Sequence, residues 1–229
     1  MRCWPAKKIL PPDAPAMIPA SARKAAPVSP RRDAWPVRAF IGIPLPAEGQ
    51  EAVAGLQDYL RALPPFSEFR WVPPGNVHIT LRFLGDISGD EAAAASTALA
   101  SGSAGGRAFS FPLDRLGAFP RAENPSVLWA GPMEPPPALV SLAENLQSAL
   151  VRAGFPAEER PFRPHLTLAR RRRKKHPPRG LAAALREADE ARPGPCPVLR
   201  MSEAALIQSD LRPGGVVYTP LHTAILIDE

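Results

Sequence analysis

Imidazole and hydroxyl side chains recur together twice in this 229-residue chain, as His78-Ile79-Thr80-Leu81 and His165-Leu166-Thr167-Leu168. The chain holds four histidines and five threonines, and two of each fall in these two copies. Histidine titrates near neutrality, so one ring can accept a proton while another donates one. Two such rings facing each other across a phosphate can activate a nucleophile on one side and protonate a leaving oxygen on the other. Threonine two residues on points the same way along a strand, and its hydroxyl can hold a non-bridging oxygen. Neither motif carries a carboxylate beside its histidine, and Cys3 and Cys196 do not cluster with them. The pattern therefore predicts acid–base chemistry with no metal and no cofactor. A nucleophilic serine is unsupported, because no G-x-S-x-G stretch occurs. His176 and His222 lie outside any motif and read as ordinary residues.

The elements that must position these side chains repeat at the same 87-residue offset as the motifs. Val37–Leu45 is a short apolar run ended by prolines and reads as a buried strand. Glu48–Leu63 places Val53, Leu56, Leu60 and Leu63 at helical period. The turn Pro73-Pro74-Gly75 then leads into the strand Val77–Leu84. Asp90–Ser101 reads as an alanine-rich helix, and Phe109–Phe119 alternates like a strand.

A second pass gives the strand Val127–Ala130, the helix Ala138–Ala153 and the motif strand His165–Ala169. The helix Leu181–Ala188 and the strand Val198–Ser209 follow, and Val216–Ile227 closes the chain as a last strand. The predicted fold is α+β, with two pseudo-twofold-related lobes. Each lobe is an antiparallel or mixed sheet with helices on its outer face, and a cleft lies between them. Period-2 alternation puts His78, Thr80 and Arg82 on one face, opposite Ile79, Leu81 and Phe83. His165 and Thr167 likewise share a face opposite Leu166 and Leu168.

The net charge of +6 is concentrated at one end. Residues 1–36 carry seven Lys and Arg against Asp13 and Asp33, leaving a nearly neutral body. That stretch also holds eight prolines and eight alanines without periodicity, so it reads as a disordered extension. It could be dispensable, or it could be an RNA-binding arm. Residues 37–229 form the folded domain. Two cysteines make no disulfide framework, and no run is apolar enough to span a bilayer. A cytoplasmic monomer without an obligate protein partner or membrane contact is the expectation.

Several stretches resemble one family. They are Phe40-Ile41-Gly42-Ile43-Pro44-Leu45-Pro46, Arg70-Trp71-Val72-Pro73-Pro74, Asn76 to Gly85 through the first motif, and Arg160 to Arg170 through the second. Leu116 to Pro120, Val127 to Gly131 and Tyr218 to Leu221 add to these. Together they are similar to the RNA 2′,3′-cyclic phosphodiesterases among the two-histidine phosphoesterases, first named 2′-5′ RNA ligases. The resemblance implies hydrolysis of a terminal 2′,3′-cyclic phosphate on RNA to a 2′-phosphomonoester. It also implies that His78 is the proton donor, that His165 is the proton acceptor, and that Thr80 and Thr167 assist.

Other readings use the same side chains: a 2′-5′ RNA ligase or 2′-5′ phosphodiesterase, or a non-catalytic RNA-binding protein. The run Arg170 to Lys175 is either a solvated loop or a contact to RNA phosphates, with Arg170 the first candidate. Arg82 either reaches the phosphate or forms a salt bridge across the cleft. Phe162 and Trp71 either stack a base or belong to the core.

Overall fold

Val37, Ala39, Ile41 and Ile43 occupy alternate positions of β1 (Val37–Pro44), and all are buried. That one apolar edge ties the strand to the helices beneath it. The computed structural model describes residues 36–171 and 180–228. The N-terminal extension up to Trp35, the cations Arg172 to Lys175, and His176 lie outside the described residues.

The chain continues as α1 (Ala47–Arg61), β2 (Phe69–Trp71), β3 (His78–Ile87) and α2 (Gly89–Gly102). Then come β4 (Phe109–Pro112), β5 (Arg115–Phe119), β6 (Val127–Gly131), α3 (Pro137–Arg152) and β7 (Leu166–Arg171). The last elements are α4 (Leu181–Glu190), β8 (Val198–Met201), β9 (Glu203–Arg212) and β10 (Gly215–Ile225).

Local chemistry accounts for the helix ends. Ser88 caps α2 by accepting the Glu91 N–H, while the Glu91 carboxylate accepts the Ser88 N–H. Such a reciprocal box contributes about 1 kcal/mol. Pro137 opens α3, where a missing N–H costs nothing.

The main sheet runs β10–β9–β1–β3–β7–β6–β5, with β2 also pairing β7, and its ladders are antiparallel. In the middle of the sheet β3 meets β7 through one residue pair, Ile79 opposite Leu166. These are the residues inside the two motifs, separated by the repeat offset, so the pseudo-twofold axis passes between them. It relates β1 to β6, β3 to β7 and β9 to β5.

The closing strands are exchanged between halves. β5 pairs with β6 of the second repeat, and β9 pairs with β1 of the first. β4 and β8 occupy equivalent places in the repeat and pair with each other in a separate two-stranded sheet. The core is continuous across both repeats. Ile41, Ile43 and Ile79 meet Leu128, Ala130 and Leu166 over Leu60, Leu99, Leu146 and Leu150 of the helices.

Two expected strands are each broken in two. Phe109–Phe119 divides at Leu113 and Asp114. There the Leu113 N–H donates to the Pro197 carbonyl (2.9 Å), and the Asp114 carboxylate accepts the Met133 N–H (2.6 Å). Those bonds turn β4 away to β8 and leave β5 in the main sheet. Val198–Ser209 divides at Ser202, whose carbonyl accepts the Leu226 N–H (2.8 Å). Among the described residues no helix is long and apolar enough to cross a membrane.

Candidate active site

Ile79 and Leu166 are fully buried on the helix side of the sheet. The neighbours on either side of each must point to the other face, so His78, Thr80, His165 and Thr167 share one surface around the twofold axis. All four are half-buried there. Diagonal neighbours across an antiparallel pair lie about 7–8 Å apart, room for a phosphate between the two imidazoles.

Each imidazole is held in the same way. His78 Nδ1 lies 2.9 Å from the Asn76 carbonyl, and His165 Nδ1 lies 2.7 Å from the Arg163 carbonyl. A carbonyl oxygen only accepts, so Nδ1 carries the hydrogen in both rings. In the neutral ring Nε2 is then left as the atom with a free lone pair.

Burial pushes the His78 pKa down to about 4; the Asn76 carbonyl works against this, and the charges of Arg170 and His165 add to it. His165 is lowered as well, first by burial and then by Arg170, with the Arg163 carbonyl opposing. Both rings therefore favour the neutral form more than a free imidazole does.

Aromatic rings wall each histidine. Phe40 stacks on His78 (centroids 4.5 Å apart), and Tyr218 meets both rings edge-on at 5.2 Å. Burial raises the Tyr218 phenol. Phe119 stands edge-on to His165 at 4.9 Å, and Trp129 stacks on Phe119 at 5.4 Å.

The two walls are built differently at one equivalent pair of positions. Gly42 lies opposite Thr80, and Trp129 lies opposite Thr167. A Cβ on Gly42 would come within 2.8 Å of the Ile79 carbonyl oxygen, 3.1 Å of the Phe40 ring and 3.4 Å of His78 Cδ2. The absence of a side chain is what lets Phe40 and His78 meet.

Strict alternation fails after each threonine. Against β1, Gly42 pairs with Thr80 but Ile41 pairs with Arg82, so Leu81 is an extra residue. Against β6, Trp129 pairs with Thr167 but Leu128 pairs with Ala169, so Leu168 is extra. The fourth residue of both motifs therefore sits in a β-bulge, and the side chains that follow it change face, until β3 shifts register once more at Leu84. The second bulge is held by the Leu168 carbonyl, which accepts the Val72 N–H (2.9 Å) and the buried Gln57 amide (3.0 Å).

The bulges revise two placements and set a third. Arg82 does not share a face with His78. It lies opposite Ile41, nine-tenths buried, and donates to Gln147 Oε1 (2.7 Å) and to the Pro156 carbonyl. Phe83 turns instead to the histidine face, opposite Phe40. Arg170 also turns to that face, opposite Val127, where its charge acts on His78, His165 and Tyr218. Phe162 and Trp71 are both partly buried and pack against the core, and the Arg61 guanidinium covers Trp71 at 5.4 Å.

Phe40, Tyr218, Phe119, Trp129, Gly42 and Gln57 were not singled out from the sequence as site residues. A lone glycine inside an apolar strand was the one local signal of a close approach.

Fold and site together define a class: a duplicated α+β protein presenting one His-Thr pair per repeat on one face of an antiparallel sheet. The family model described as LigT like Phosphoesterase matches residues 43–129 and again 131–218, once per repeat. An RNA 2′,3′-cyclic phosphodiesterase of Escherichia coli is 35% identical over 192 residues, covering 81% of this chain and 94% of that protein. Its counterpart from Geobacillus stearothermophilus is 35% identical over 132 residues, which span 58% of this chain but 41% of that longer protein. The crystal structure of E. coli LigT complexed with 3′-AMP superposes with a TM-score of 0.64 at 32% identity, covering 83% of this chain and 98% of that one. The chain belongs to the LigT-like phosphoesterase family.

Proposed function

We propose that this protein hydrolyses a 2′,3′-cyclic phosphate at an RNA end to a 2′-phosphomonoester, using the two imidazoles and no metal ion. The observation that carries the reading is the matched Nδ1–carbonyl bond in each motif, which leaves two Nε2 atoms to work on one face. The cyclic phosphate binds between the rings as an anion. Its negative charge opposes that of Arg170 and favours protonation of one imidazole.

His165 Nε2 takes a proton from water, and the water oxygen bonds to phosphorus. The bond from phosphorus to the 3′ oxygen breaks, and that oxygen leaves with the proton from His78 Nε2. The phosphate stays on the 2′ oxygen. Thr80 and Thr167 donate to the non-bridging oxygens, where charge grows in the transition state.

The test is a short RNA ending in a 2′,3′-cyclic phosphate, with the product read by phosphorus NMR. A 2′-phosphate that forms equally well in EDTA is expected. A 3′-phosphate would reverse the leaving-group assignment, and loss of activity on chelation would overturn the metal-free step. His78→Ala and His165→Ala are each expected to lower kcat by about 10²–10⁴-fold. A cyclic substrate with sulfur at the 3′ bridge needs no proton on its leaving group. It should restore turnover to His78→Ala and not to His165→Ala.

A further inference from the structure

Gln57 leaves α1 on its buried side, alongside Val53, Leu56 and Leu60, and is 1% exposed. A polar group placed there must find its hydrogen-bond partners inside the protein. Gln57 Nε2 donates to the Val72 carbonyl (2.8 Å) and to the Leu168 carbonyl (3.0 Å). Both partners only accept, and a neutral amide brings two N–H groups on one nitrogen.

The two carbonyls belong to different strands. Val72 follows directly on β2, and Leu168 is the extra residue of the β7 bulge. Gln57 therefore bridges β2 to β7 at the end of a ladder of three residue pairs. One of those pairs sets Arg70 directly opposite Arg170, and both are exposed. Like charges directly opposite destabilise an antiparallel pair. The short ladder is thus pushed apart where Arg170 stands and clamped where the bulge lies. The counterpart of Gln57 eighty-seven residues on is Glu144, which is exposed on α3. Of the two bulges, the second is the one that a glutamine from the helix layer clamps.

We propose that Gln57 is a positioning residue of the active site: by clamping β2 to β7 at the Leu168 bulge, it fixes Thr167 and Arg170 on the histidine face. The proposal rests on the two-histidine phosphoesterase reading above and adds to it a residue from the opposite side of the sheet. Gln57 touches no substrate. It holds the two-against-one count of β7, on which the side taken by Arg170 depends.

The test is a double-mutant cycle of Gln57→Met and Arg170→Gln on the full chain. Its readout is the titration of the His78 and His165 rings by nuclear magnetic resonance, which needs no turnover. The charges that act on the pair are Arg170 on both rings and His165 on His78. Arg170→Gln alone should therefore raise both imidazole pKa values. Met keeps the length of Gln57 and leaves both carbonyls without their donor, so Arg170 is no longer held in place. In that background Arg170→Gln should move the two values much less, and a shift as large as in the intact protein would overturn the proposal. Val53→Ala deletes buried methyl groups from the same helix and leaves both hydrogen bonds in place. It should keep the full Arg170 effect; losing that effect there too would make Gln57 a residue of the fold alone. Should Gln57→Met not fold, Gln57→Glu takes its place under the same criterion. A buried carboxyl against two carbonyls stays protonated and donates to one of them only. On RNA ending in a cyclic phosphate, Gln57→Met should lower kcat/KM on the order of 10²-fold, the cost of a misplacement of about 1 Å. Val53→Ala should stay near wild type, and an undiminished kcat/KM in Gln57→Met would overturn the proposal. A wild type that turns over no cyclic phosphate removes the phosphoesterase reading alone, and the resonance cycle still decides the clamp.

Discussion

On the proposed two-histidine mechanism, the lowered pKa values of His78 and His165 have a direct kinetic consequence. Acid–base catalysis needs one ring protonated and one neutral, and in the free protein burial and Arg170 oppose the proton on both. The singly protonated form is therefore most populated below pH 6.5, the ordinary histidine value. As pH rises past the higher of the two pKa values, that form falls tenfold per unit, and kcat/KM must fall with it. A profile of kcat/KM from pH 4 to 8 should peak on the acid side of 6.5 and decline through neutrality. A maximum above pH 7 would contradict the neutral resting state of the pair. Replacing Arg170 by Gln removes one cause of the lowering, so the profile should move towards higher pH.

At the level of elements, the residue inserted after each threonine decides which cation emerges on the histidine face. Arg82 and Arg170 look alike in the sequence, each close behind a His-x-Thr-Leu. Their roles separate because Arg82 immediately follows its bulge and Arg170 lies two residues past its own. Arg82→Met leaves Gln147 and the Pro156 carbonyl without their donor. It should destabilise the fold by about 2 kcal/mol with KM little changed. Arg170→Gln should leave thermal stability intact, raise KM for RNA and reduce the slope of log affinity against log salt by about one.

β1 carries its own test of fit. Gly42→Ala should cost about 1–3 kcal/mol by overpacking and displace the His78 ring, lowering kcat as well. Gly55→Ala on the exposed face of α1, where an added Cβ meets nothing within 4 Å, should stabilise by about 0.5–1 kcal/mol with activity unchanged. Thermal melts with steady-state kinetics on the two variants read both effects. The helices, the two motif strands and the α+β class were legible in periodicity and spacing. The bulges were not, because each is a two-against-one count between strands distant in the chain.

The whole molecule behaves as one unit despite its duplication. A chain of two repeats could have folded as two independent lobes, but β5 and β9 each complete the sheet of the other repeat. The buried core likewise runs unbroken through both. Unfolding should therefore be a single transition. Far-ultraviolet circular dichroism, which reads every element, and tryptophan fluorescence (Trp71 and Trp129 both lie beside β7) should give coincident curves in denaturant. Two separated transitions would show that the exchanged strands do not couple the halves.

By itself the sequence determined which residues could do the chemistry, because rare histidines and threonines at a repeated spacing are visible without any fold. It also determined that they come as a related pair, since the 87-residue offset is a property of the chain alone. Only the tertiary structure decided which side chains join them. Face assignment after a bulge depends on pairing with β1 and β6, and the aromatic walls come from strands as remote as β5 and β10. The depressed basicity of both imidazoles arises from that burial. Local sequence carries period and type; the side of the sheet on which Arg82, Phe83 and Arg170 emerge is set by contacts made far along the chain.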